Sequence, residues 1–212
     1  VDGVSEKFHK PTQFSGSKFE EFEGGADPAH ISRVAHETAQ ALLSRVRGNP
    51  EPAVIERLVA FTDEQGIDAI AELWAQSSAR SLPGALWRVY LMRTLIRQNP
   101  EDISFLFQRG TEVTSTIDRV VAGAPSPAGA AEIVALADQI LRGLFEGDFA
   151  IALDRASAFC RLSAAGAASV ADDVENTEPE RSTALTTQAL RLSETAADLA
   201  ACAALWRRES LD

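Results

Sequence analysis

Between Leu185 and Trp206 the apolar positions recur at alternating steps of four and three: Leu185, Ala189, Leu192, Ala196, Leu199, Ala203 and Trp206. Such spacing marks one face of an α-helix that lies along a partner helix, and the interleaved alanines permit close approach. Leu153, Ala156, Cys160, Ser163, Ala167 and Val170 form a looser series of the same kind. With the acidic stretch "DDVENTEPE" between them, the two segments predict an antiparallel helical hairpin inside the domain. The same face could serve a second copy as a dimer seam, so self-association stays open.

Upstream, the pattern keeps a helical period. "DPAHISRVAHETAQALLSRVRGN" offers Asp27 as N-cap, Pro28 at the first helical position, and a stripe of Ile31, Val34, Ala35, Leu42 and Val46 before Gly48. "NPEPAVIERLVAFTDEQG" repeats the device from Asn49 and Pro50 to Gly66, and "IDAIAELWAQSSAR" carries Ile67, Ile70, Leu73 and Trp74 on one face. Ser81 and Pro83 open the stretch "ALWRVYLMRTLIRQ". Asn99 and Pro100 open a shorter helix expected to end at Arg109 and Gly110, with one more over 111–122. Two long segments then share Gly147 as a stop and Asp148 as a cap. No sustained alternation at period two occurs. The expected fold class is all-α: residues 27–212 form a single-domain multi-helix bundle of about eight or nine antiparallel helices. Residues 1–26 lack a period and predict an irregular N-terminal arm, whose Phe8, Phe14, Phe19 and Phe22 could dock on the body or on a partner.

Composition narrows the function. A formal charge of -11 opposes general adhesion to nucleic acid or anionic lipid, because the long-range field repels phosphates. The opening segment "VDGVSEKFHKPTQF" has no apolar secretory core, and no stretch reaches the roughly 18 apolar residues of a membrane helix. The expected location is cytoplasmic. Cys160 and Cys202 sit in Ala-rich helical patterns without ligand spacing and read as small apolar residues. His30 and His36 lie about 120° apart on their helix, and His9 is remote in sequence, so no shared metal is expected. Asp172, Asp173, Glu175, Glu178 and Glu180 read as a solvated acidic loop. The familiar nucleotide, hydrolase, zinc and calcium motifs are missing, so no catalytic residue, metal or cofactor is expected.

The remaining candidate is the arginine-bearing helix. At 100° per residue Arg93 and Arg97 stack on one flank with Tyr90 a turn earlier. Trp87, Leu91 and Leu95 form one apolar row, and Leu86, Val89, Met92 and Ile96 another. The arginines can snorkel or pair with one of the chain's many acids; alternatively Tyr90, Arg93 and Arg97 form a cleft for an acidic ligand. "LPGALWRVYLMRTLIRQNPEDISFLFQRG" and "ADQILRGLFEGDFAIALDRASAFCR" resemble an uncharacterised family of helical proteins from GC-rich Gram-positive bacteria. The resemblance implies a bacterial, intracellular setting and no assigned activity. The leading expectation is a non-enzymatic protein-interaction or regulatory module; the rival is a helical small-molecule sensor or enzyme that binds an acidic ligand between helices.

Overall fold

The computed structural model describes residues 27–48, 53 and 73–212. The arm at 1–26 and the helices expected over 49–66 and the first part of 67–80 lie outside them, apart from Ala53, which is helical. Among the described residues the protein is all-helical, in seven helices. They are α1 (Pro28–Gly48), α2 (Leu82–Gln98), α3 (Pro100–Val113), α4 (Asp118–Ala122), α5 (Ala130–Glu146), α6 (Phe149–Val174) and α7 (Pro179–Arg207).

Local chemistry sets most of these ends. Asp27 Oδ1 accepts from the Ala29 N–H at 3.1 Å, Ser81 Oγ from the Gly84 N–H at 3.3 Å, and Asp148 Oδ1 from the Ile151 N–H at 3.1 Å. Each satisfies an amide that the first helical turn cannot. Asn99 precedes Pro100 as expected, yet its side chain makes no capping hydrogen bond. The helical pattern expected through Arg80 stops at Trp74, and 75–80 turn instead. There the Ser78 carbonyl accepts from Ser81 Oγ at 2.7 Å, and a Cβ on Gly84 would lie 2.0 Å from that carbonyl oxygen.

Gly110, expected as a stop, lies inside α3. A Cβ there would fall 1.9 Å from the Leu162 carbonyl oxygen, and one on Gly166 of α6 would fall 1.8 Å from that of Leu106. The two glycines bring the α3 and α6 backbones into direct contact, which no other residue permits. The expected single helix over 111–122 is broken: α3 runs on to Val113, and α4 starts at Asp118. Between them, the Thr114 hydroxyl returns to the Gly110 carbonyl at 2.7 Å, and Thr116 Oγ1 accepts from the Asp118 N–H at 3.3 Å. Local hydroxyl bonds of this kind compete with the helical ladder. Gly123, at φ 76°, closes α4 in the left-handed region.

Helix α6 is the hub, packed against α2, α3, α4, α5 and α7. Its contact with α7 uses the seam residues read from the sequence. Leu153, Ala156, Cys160, Ser163, Ala167 and Val170 are buried, as are Ala189, Leu192, Ala196, Leu199 and Ala203. Phe149 meets Trp206 at 4.4 Å between ring centres, Ser157 Oγ donates to the Ala196 carbonyl at 2.7 Å, and Val170 clusters with Ala189. Contacts therefore pair in reversed order along the two helices, and the seam is filled within one chain. Phe107 of α3 stacks on Phe159 of α6 at 5.1 Å.

Helix α1 packs on α2. Its His36, Glu37, Gln40, Ala41 and Ser44 border a hollow with Leu82, and Thr38 Oγ1 accepts from Trp74 Nε1 at 3.4 Å. The Trp74 ring is 6.4 Å from Tyr90. The C-terminal end of α1 is fixed by Arg47, which donates to the carbonyls of Leu144 and Gly147 at the close of α5, where cations are favoured.

Candidate functional site

Helix α2 carries the candidate residues and has two dissimilar flanks. Leu86, Val89, Met92 and Ile96 are buried in the core, as their row predicts. The other row is marginal: Trp87 and Leu95 are half-buried, and Leu91 is 42% exposed.

On the flank toward α5 the structure brings Arg93 and Arg97 together on one carboxylate. Arg93 Nε donates to Asp138 Oδ1 at 2.7 Å, and Arg97 Nη1 to Asp138 Oδ2 at 3.4 Å. The Arg93 side chain is 3% exposed, whereas Asp138 and Arg97 reach water at 29% and 37%. Asp138 therefore sits where a bound anion would. Tyr90 is also buried, but its hydroxyl has no hydrogen-bond partner among the described residues. Burial holds its phenol well above the ordinary tyrosine range, with Arg93 opposing the shift in part, so it remains a neutral phenol at physiological pH. Tyr90, Arg93 and Arg97 form a polar junction between α2 and α5 that the chain itself fills.

The sequence reading set Asp138 aside, because at six positions from Glu132 the two acids share no helix face, and it did not connect Asp138 with the arginines, which lie more than forty positions away on another helix. One signal was present. Asp138 is the only acid between Ile133 and Phe145, a stretch that otherwise supplies the buried face of α5. An acid on the edge of such a stripe calls for a cation from a neighbouring helix.

The flank toward α7 is open. Leu91, Met92 and Leu95 of α2 face Leu192 and Thr187 of α7 across a hollow of about 310 Å³, with Cys160 of α6 on its lining. A second hollow of about 340 Å³ continues it between α3 and α7, past Phe105, Leu106 and Leu185. Leu95, Ala184 and Gln188 border both, so the two form one groove. Phe105 is 54% exposed. The cations along the groove are Arg88, Arg181 and Arg191, and Asp102 is an acid on its lining. Arg88 contacts Asp198 at 3.4 Å and Arg181 contacts Glu178 at 3.1 Å; Arg191 makes no ion pair among the described residues.

Neither cysteine is placed for nucleophilic chemistry. Both are buried and unbridged, and burial pushes the Cys160 thiol up to about 12 and that of Cys202 to about 11, far from the thiolate needed for attack. His30 Nδ1 is 2.9 Å from an Arg33 nitrogen, and His36 Nδ1 is 2.7 Å from the Ser32 carbonyl. Of the acids expected in one loop, Asp172 and Asp173 lie in the last turn of α6 and Glu180 in the first turn of α7, which leaves Glu175 and Glu178 between the helices; Asp173 pairs with Arg109 and Glu178 with Arg181. No helix of the described residues is long and apolar enough to cross a membrane, and no cluster of metal-ligating side chains occurs among them. Compared with family models, with curated proteins and with solved structures, the chain matches none.

Proposed function

We propose that this protein is a non-enzymatic, cytoplasmic interaction or regulatory module that receives a protein segment in the groove bounded by α2, α3 and α7. One observation carries the reading: Leu91 and Phe105, large apolar side chains 42% and 54% exposed, border the same solvent-open groove. Apolar side chains gathered along a concave surface gain from a partner that removes them from water, at roughly 25 cal/mol per Å² of apolar area. The rival reading, an acidic small molecule held by Tyr90, Arg93 and Arg97, draws no support from a junction whose arginines already contact Asp138.

The test is affinity capture from source cells with the parent protein and with Leu91→Glu and Phe105→Glu. Both substitutions alter exposed side chains and should leave the melting temperature nearly unchanged. A protein retained by the parent and lost from both variants is the expected result. Identical captured sets would remove the groove from consideration.

A further inference from the structure

We propose that the groove has an occupant within this chain: residues 14–23, "FSGSKFEEFE", dock between α2, α3 and α7 and exclude the partner inferred above until they are displaced. The inference rests on the reading of the groove as an interaction site and adds its regulation.

Three observations support it. The groove is apolar and open, with Leu91 and Phe105 exposed along it, and Phe14, Phe19 and Phe22 are the large apolar groups of an otherwise polar segment. An aromatic ring buries about 150–250 Å² when covered. Charge is complementary. In a chain of net charge -11 an acidic segment meets a repulsive long-range field, but Arg191, which makes no ion pair among the described residues, borders the groove beside Arg88 and Arg181, whose guanidiniums contact Asp198 and Glu178, with Asp102 the acid on the lining. The segment carries Glu20, Glu21 and Glu23 against one cation, Lys18. Finally, reach is sufficient: at ~3.4 Å per residue, the links from Phe22 and Phe14 to Asp27 extend to about 17 and 45 Å, against a radius of gyration of about 16 Å for a body of this size. Tethering raises the local concentration to the order of millimolar, so a weak contact is enough to keep the groove covered.

The experiment uses the full chain. A fluorescein-labelled peptide with the sequence of residues 14–23 is titrated by anisotropy into the parent and into a Phe14→Ser/Phe19→Ser/Phe22→Ser variant. The variant should bind saturably and the parent at least ten times more weakly, its own segment being in place. Adding Leu91→Glu or, on a different helix, Phe105→Glu to the triple variant should weaken peptide binding at least tenfold while the circular-dichroism melt stays unchanged. Equal binding to parent and triple variant would overturn the self-occupied groove and leave the partner reading standing. No binding to the triple variant would overturn the proposal, and the capture experiment then decides the groove by itself. Dimerisation of the parent that the triple substitution abolishes would assign the segment to the groove of a second copy, and so overturn docking within one chain.

Discussion

Arg93 and Arg97 share one carboxylate but differ in what their loss would leave behind. Replacing Arg93, whose side chain is 3% exposed, leaves a hole in the core and takes from Asp138 its shorter contact, with Arg97 and water still on the carboxylate. Arg93→Gln is expected to cost about 1.5–3 kcal/mol in denaturant unfolding. Arg97, 37% exposed at 3.4 Å, is screened by water, so Arg97→Gln should cost only about 0.5 kcal/mol. Equal losses would mean that the two guanidiniums act as one unit. A second acid gives a pH signature. A hydrogen bond from Arg161, at 2.6 Å, holds the Asp118 carboxyl below its usual range, with burial opposing it. A depressed folded-state pKa stabilises the protein above the unfolded value of about 3.9 and is lost as pH falls through the folded one. The stability difference between parent and Asp118→Asn should therefore be constant near neutrality and shrink below about pH 4, as read from denaturant midpoints at pH 7 and pH 3. The arginine flank itself was legible, since residues four apart must stack on a helix. Its partner was not, because helix periodicity does not say which helix comes alongside.

At the scale of elements, periodicity and caps foretold α1, α2, α5, α6 and α7 closely, and they foretold the seam that joins the last two. What they misread was glycine. Gly110 looks like a stop from its neighbours in sequence, yet its purpose lies across space, where the Leu162 carbonyl takes up the room of a Cβ. Gly110→Ala and Gly166→Ala should each destabilise by about 3 kcal/mol or more, since backbone cannot rotate aside as a side chain can. A variant unfolding within about 0.5 kcal/mol of the parent would refute the close crossing. The seam makes a gentler demand. Ala196→Leu, at a buried position, should cost about 1–3 kcal/mol, whereas Ala197→Leu, on the exposed face of the same helix, should be nearly neutral. The contrast separates packing from helix propensity, because both changes are the same in sequence.

Across the whole molecule, burial is concentrated on α6, which meets five other helices, while α4 is five residues long and presents Ile117 and Val120, 75% and 74% exposed, at its start. Native-state hydrogen exchange should reflect this. Amides in the middle of α6 should exchange only through global unfolding, and those of α4 by local opening that ignores mild denaturant. Exchange of α6 by small, denaturant-independent openings would contradict its place as hub. The α6–α7 seam carries one last consequence. A run of leucines and alanines at regular spacing looks nearly the same after a shift of seven residues, so such a seam by itself leaves the sliding position of one helix on the other almost undetermined. Here the ambiguity is resolved at the end of the hairpin, where Phe149 finds Trp206 and Asp154 finds Arg207. A slipped hairpin would carry both partners out of reach while keeping most of its apolar contacts, so these two pairs act as the stop that gives an otherwise repetitive sequence a single alignment.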